Sequence, residues 1–263
     1  MDYQLLDSGH GEKLERFGEI VLIRPCAQAI WRPRLSPETW EKAHARFSRD
    51  RGNQWEVFRS IPDTWVVSIA GIRLQLKRTE FGHLGVFPEH AAFWDLFRSR
   101  LRFLNLFAYS GGASIAAAKA GAEVTHVDAA KGMVGWAGEN ARLNGISSIR
   151  WIVEDARKYL ARALRRRESY DAILLDPPSF GRGKSNEVFK IERDLPLMLK
   201  QCRELLSDTP VCVILTCHTP GFTPIVLKQL LQETFSGKFE AGELLLDSAY
   251  AIPSGAFARW TPC

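Results

Sequence analysis

The sequence predicts an α/β fold: a doubly wound, mostly parallel sheet, preceded by a small N-terminal α+β, β-rich domain. Three observations carry this. From residue 96 onward, short apolar runs alternate with helix-period runs, strand then helix. Residues suited to holding a ligand fall just after the apolar runs, where open α/β sheets bind ligands. Before residue 96 the β-type runs are short and interrupted by Pro25, Pro33, Pro37 and Pro62. A chain of 263 residues is long enough for a main domain and a smaller one, divided here as 1–95 and 96–263.

The elements follow in order. In the first part, β-type runs cover 20–24, 65–70 and 72–77, and Gly71 makes a tight link between the last two. Pro37-Glu38 opens a helix running through Lys42 to Phe47, with Ser36 as its cap. In the second part, 103–107 is a short strand and 113–120 an alanine-rich helix ended by Gly121. Strand 123–127 ends at Asp128, and helix 131–144 stops at Asn144-Gly145. Strand 149–153 precedes a basic helix, 156–167, and strand 170–175 ends at Asp176-Pro177-Pro178. Helix 191–206, strand 211–216, helix 224–235 and final strands 244–246 and 256–260 complete the chain. Such alternation puts helices on both faces of a parallel sheet.

Composition excludes several classes. No apolar run approaches the roughly 18 residues that cross a bilayer. The first twenty residues lack a basic stretch followed by an apolar core. The expectation is a cytoplasmic protein with no membrane partner. Five cysteines without a C-x-x-C pair argue against a disulfide framework and against a structural zinc site, so no metal is expected. A net charge of +5 suits an anionic partner such as RNA. In the first domain, however, acids nearly balance bases.

Four stations follow four strands. The first is Phe107-Ala108-Tyr109-Ser110-Gly111-Gly112, whose small residues let backbone approach a ligand at a helix start. It is not G-x-G-x-x-G, so a dinucleotide pyrophosphate is poorly served. The second is Asp128, 17 residues beyond Gly111, placed to accept from both ribose hydroxyls of an adenosine ligand or else to cap the next helix. The third is Glu154-Asp155, where a carboxylate can accept from an adenine amine while a backbone N–H serves a ring nitrogen. The alternative is an N-cap for the basic helix. The fourth is Asp176-Pro177-Pro178-Ser179-Phe180, with prolines that hold the turn rigid. It aims an acid at the reacting group, or is a plain structural turn.

With these stations in order, the sequence resembles the class I S-adenosylmethionine-dependent methyltransferases. It is most similar to the bacterial large-subunit ribosomal-RNA methyltransferases, including the cytosine-C5 enzymes. The matching segments are LNLFAYSGGASIAAAKAGA, VTHVDAAK, ENARLNGI, VEDARKYL, YDAILLDPPSFGRGK and VILTCH. HLGVFPEHAAFW and YAIPSGAFARW add to them. The resemblance implies a Rossmann-like domain binding S-adenosyl-L-methionine and releasing S-adenosyl-L-homocysteine. It implies cofactor contacts from Phe107, Ala108, Tyr109, Ser110, Gly111, Asp128, Ala129, Asp155, Ala156, Asp176 and Pro177. Phe87 and Glu89 would lie near the methionine end. Pro178, Ser179, Phe180, Arg182 and Lys184 would contact the substrate, an RNA and in particular ribosomal RNA.

Two chemistries compete for the acceptor. Methylation at cytosine C5, the favoured expectation, needs a thiolate to add to C6 and a carboxylate near N3. Cys217 and Asp176 are the candidate catalytic pair, the former in Thr216-Cys217-His218, which resembles the Thr-Cys-Ser element of such enzymes. The alternative for Cys217 is an inert buried thiol. Methylation at a base nitrogen needs no cysteine. Rivals from other classes are methylation of a small molecule or protein, a nucleotide-binding oxidoreductase, and a non-catalytic RNA-binding protein. Arg157, Lys158, Arg162, Arg165, Arg166 and Arg167 crowd one helix, either as an RNA contact or as a solvated face. Trp31, Trp40, Trp55 and Trp65 leave self-association as a further possibility for the first domain.

Overall fold

The computed structural model describes residues 2–49, 52–182, 188–246 and 250–263. It divides into two compact units, Met1–Ala91 with Leu245–Pro253, and Ala92–Leu244 with Ser254–Cys263. A single cut near residue 95 does not anticipate the return of 245–253 to the first unit.

In the first unit, β1 (Tyr3–Gly9), β2 (Glu12–Phe17) and β3 (Ile20–Pro25) form an antiparallel meander. After α1 (Pro37–Trp40), β4 (Ala45–Ser48) pairs parallel to β3, and β5 (Gln54–Val57) pairs antiparallel to β4. The resulting five-stranded sheet keeps sequence order. β6 (Trp65–Ile69) and β7 (Ile72–Leu76) form a separate hairpin that turns at Ala70 (φ 46°) and Gly71 (φ 76°). Two consecutive positive φ values match the twist of hairpin strands.

The β1–β2 hairpin turns the same way at His10 (φ 52°) and Gly11 (φ 80°). The sequence hides it, because adjacent Leu5 and Leu6 blur the alternation and the register shifts between Leu5 and Asp7. The helix expected to reach Phe47 ends at Trp40, and Ser36 makes no side-chain cap. Residues 45–48 form β4 instead: Ala45 and Phe47 are buried while Arg46 and Ser48 are half-buried. That is the period of a strand, and pairing with β3 overrides the helical start.

Buried Glu15 on β2 is the electrostatic centre of this unit. It accepts from Arg24 on β3 (2.8 Å) and pairs with Lys13 (3.2 Å). Burial pushes its carboxyl up, but Arg24 and Lys13 outweigh burial and hold it at about 2, against 4.5 ordinarily. A depressed acid stabilises the fold fully above its unfolded value and loses that contribution as pH falls to its folded one. We therefore expect the first unit to lose about 3 kcal/mol of stability between pH 4.5 and 2. Urea titrations across that window should show the loss in the native chain and its absence in Glu15→Gln. That variant should start about 3 kcal/mol weaker at neutral pH, with Arg24 buried and its charge uncompensated.

In the second unit, β8 (Arg102–Leu106), α2 (Gly112–Lys119), β9 (Glu123–Asp128), α3 (Lys131–Leu143), β10 (Arg150–Val153) and α4 (Ala156–Arg165) come first. β11 (Ala172–Leu175), β12 (Phe180–Arg182), β13 (Val188–Lys190), α5 (Ile191–Glu204), β14 (Cys212–Cys217), α6 (Pro224–Thr234), β15 (Lys238–Leu246) and β16 (Ile252–Thr261) follow, the end of β15 from Leu245 and the start of β16 through Pro253 counting with the first unit. The seven-stranded sheet runs β10-β9-β8-β11-β14-β16-β15, parallel from β10 to β14, with β16 antiparallel to β14. β11 is buried along its whole length, as a strand covered on both faces must be. On one face, Tyr159 and Leu160 of α4, Met198 and Leu199 of α5, and Leu227 of α6 pack on Leu104, Ile173 and Val213. On α2, Ser114 meets Asn105 and His126 in a buried polar chain (2.9 and 3.0 Å). Residues 180–182, outside the elements expected from the sequence, are β12, paired antiparallel with β13.

Among the described residues, no helix is long and apolar enough to cross a membrane.

Candidate active site at the carboxyl edge of the parallel sheet

Strand order reverses between β8 and β11: the chain steps outward from β8 to β9 and β10, then returns to β11 and β14. Ligand sites of doubly wound folds lie at such a switch point. Register aligns the strand ends there. Leu106 stands opposite Val127 and Leu175, Asp128 opposite Val153, and Leu215 opposite Leu175. All four stations therefore begin at one edge of one sheet. From Asp155 to Asp176 they span three strand spacings, about 14 Å.

The loop after β8 carries positive φ at Phe107 (56°), Tyr109 (51°) and Gly111 (89°). Two of these are not glycine, a strained arrangement that surrounding bonds must hold. Ala108 donates its N–H to Val127 O (3.1 Å), Tyr109 donates its N–H to Asp128 Oδ2 (2.9 Å), and Asn140 Nδ2 donates to Ser110 O (3.0 Å). Gly111 is required: a Cβ there would lie 2.9 Å from Ala137 Cβ on α3. Asn140 is fully buried on α3 and was not anticipated as part of the site. Its sequence signal was its place in ENARLNGI, one of the segments that carry the resemblance.

Asp128 is fixed at both oxygens, Oδ2 by Tyr109 N–H and Oδ1 by Ala130 N–H (2.8 Å). Its side chain does not cap α3, whose N-cap is Ala130, the residue after Ala129. Burial pushes its carboxyl above the ordinary 3.8, against the pull of the two N–H groups. Each oxygen has further lone-pair capacity, so a pair of neighbouring hydroxyls would satisfy it.

Asp155 takes the capping alternative. Oδ1 accepts from the N–H groups of Arg157 (2.9 Å) and Lys158 (3.4 Å), and Oδ2 pairs with the Arg157 guanidinium (2.8 Å). Burial pushes its carboxyl up, but Arg157 outweighs burial and holds it below its usual range. Glu154 pairs with Arg162 (2.5 Å), and Arg157 also reaches Asp194 (3.0 Å). Two arginines of the basic helix are thus engaged with acids of their own unit. The N–H of Ala156 belongs to the first turn of α4, where no intrahelical acceptor exists.

Asp176 follows β11 at the switch point. Thr216 on β14, buried, donates its hydroxyl to Asp176 Oδ1 (2.7 Å), and His218 Nε2 lies 3.9 Å from that oxygen. Beyond Pro177 and Pro178, Ser179 Oγ and Thr219 Oγ1 share a hydrogen bond (2.8 Å). The turn after β11 is thereby tied to the end of β14 at two points. Thr216 was not anticipated, because its partner lies 40 residues away on a strand that only the sheet makes adjacent.

Cys217 is the last residue of β14, 1% exposed, with Thr219 N–H against its sulfur (3.4 Å). Burial pushes its thiol up, Thr219 opposes, and the charge of Asp176 adds to the rise. Phe180 is half exposed on β12. Lys184 lies outside the described residues, and Arg182 is described only as backbone of β12. Phe87 and Glu89 belong to the first unit, where Glu89 is buried and the Phe87 ring meets those of His83 and His90.

A doubly wound sheet with an acid after its second strand and no dinucleotide loop is the architecture of a nucleoside-binding class of α/β proteins. Residues 40–242 match the S-adenosylmethionine-dependent methyltransferase family, and the chain belongs to it. Over its whole length it superposes on 91% of the crystal structure of a SAM-dependent methyltransferase from Agrobacterium tumefaciens, at 40% identity and a TM-score of 0.95. It is 31% identical over 181 residues to the ribosomal RNA large subunit methyltransferase K/L of Marinobacter nauticus, covering 66% of this chain and 24% of that protein. The Pseudomonas putida protein of that name is 38% identical over 138 residues, covering 49% of this chain and 18% of the relative. The chain thus spans under a quarter of the length of these curated relatives. The family depends on S-adenosylmethionine, which is therefore the cofactor of this chain.

Proposed function

We propose that this chain transfers the methyl group of S-adenosylmethionine to a nitrogen of an RNA base. The cofactor supplies an activated methyl on a sulfonium, so the protein's work is alignment of donor and acceptor. Asp128 would hold the ribose hydroxyls, and the Asp155–Ala156 backbone the adenine. The strained turn from Phe107 to Gly111 would hold the methionine part. Pro178 to Phe180, with Arg182 of β12 and with Lys184, would meet the substrate. Asp176, held by Thr216, would accept a hydrogen bond from the acceptor base and take up the proton that methylation releases. That fixed carboxylate at the switch point is the observation that carries the proposal. The RNA acceptor rests on the names of the curated relatives and on the net charge of +5.

Nitrogen is preferred to cytosine C5 because of Cys217. A C5 mechanism needs an accessible thiolate, and this thiol is buried and pushed away from ionisation. The placement of Cys217 on the strand beside Asp176 is what favours the C5 reading. One experiment separates them. Unmethylated large-subunit RNA is incubated with the chain and methyl-labelled cofactor, then digested and its nucleosides identified by mass spectrometry. A nitrogen-methylated base, formed equally well by Cys217→Ala, is the expected result. C5-methylcytidine that disappears in Cys217→Ala would replace it with the C5 mechanism, and unlabelled RNA would remove the RNA acceptor.

A further inference from the structure

Residues 29–35 of the first unit, between β3 and α1, read Ala-Ile-Trp-Arg-Pro-Arg-Leu. Their backbone is pinned along its length. Gly11 and His10 donate their N–H groups to the carbonyls of Ala29 and Trp31 (2.8 Å each). Buried Asp7 accepts at Oδ2 from the N–H groups of Arg34 (3.0 Å) and Leu35 (2.9 Å) and from Trp40 Nε1 (2.9 Å). Trp31 Nε1 donates to Ser8 O (3.0 Å), so the indole cannot swing freely. Yet beyond buried Ala29 and half-buried Pro33 the side chains reach water. Ile30 is 85% exposed, Leu35 40% and Trp31 39%, and Arg32 and Arg34 are exposed with them. The Arg34 guanidinium lies over the ring of Tyr250, itself exposed.

Ordering a segment costs conformational entropy, and here buried Ala29 and the backbone hydrogen bonds anchor it while Ile30, Arg32 and Arg34 stay exposed. Fixed aromatic and apolar side chains in water mark a contact surface. From this arrangement we infer that residues 30–35 with Tyr250 form a docking platform for single-stranded RNA. The inference rests on the RNA reading above. Bases stack on aromatic rings without regard to sequence, and guanidiniums pair with phosphates. The run carries two arginines and no acid. A second copy of the chain fits less well, because a two-fold contact would turn Arg32 and Arg34 toward their own symmetry mates.

The test is anisotropy of a short fluorescein-labelled single-stranded RNA, titrated with the full chain over a range of salt. Trp31→Ala should weaken binding about tenfold with an unchanged salt slope, since stacking is lost and no phosphate contact is. Arg32→Gln and Arg34→Gln should each weaken binding and reduce the slope by about 0.7. Arg73→Gln, an exposed arginine on β7, should alter neither. Unchanged circular dichroism and urea unfolding throughout show that the variants fold. If the native chain binds and methylates RNA and the loop variants bind it equally well, this inference alone falls. If the native chain neither binds nor methylates RNA, both readings fall. A dimer that Trp31→Ala converts to monomer, at constant RNA affinity, would assign the platform to a second copy and overturn the inference.

Discussion

Asp128→Ala is expected to weaken S-adenosylmethionine binding by about 100-fold or more in calorimetry. The carboxylate would accept from two ribose hydroxyls, and a hydrogen bond to a charged group contributes about 1.5–3 kcal/mol. Asp128→Asn should fall between, since its amide group must turn a donor toward the N–H of Tyr109 or Ala130. The pH dependence has a defined sign. Burial raises the Asp128 pKa above 3.8, and a protonated carboxyl cannot accept from both hydroxyls. Affinity should therefore fall with acid at a higher pH than an ordinary aspartate gives, and this limb should vanish in Asp128→Asn. Native-like affinity in the alanine variant, with circular dichroism unchanged, would remove the ribose assignment.

Asp176→Asn is expected to lower the single-turnover rate of methyl transfer by about a thousandfold, the scale of a lost general base. Cofactor affinity should change far less than the rate. Thr216→Val removes the hydroxyl that holds Asp176 and should slow transfer about tenfold, a loss the size of one misplaced hydrogen bond. Thr216→Ser restores the donor and should restore the rate. An Asp176→Asn enzyme at full speed would mean that proton removal is not this residue's task.

Much of the second unit was legible because its strands are short and apolar and its acids follow them directly. Asp128 and Asp176 could be placed from that pattern alone. Thr216 could not, because its meaning depends on β11 and β14 lying side by side. Asp155 offered two readings, and the structure shows its side chain capping α4. Cys217 offered two readings as well, and its burial emerges only once β14 is packed in the core. In the first unit local signals misled. Pro37 began a helix that β4 cut short, and adjacent leucines concealed β1.

The most direct test of the central claim is a crystal structure of the chain with S-adenosylhomocysteine. Its ribose should lie on Asp128, its amino-acid tail in the turn from Phe107 to Gly111, and its sulfur toward Asp176. A ligand bound away from the carboxyl ends of β8, β9 and β11, or Asp128 left without contact to it, would contradict the account.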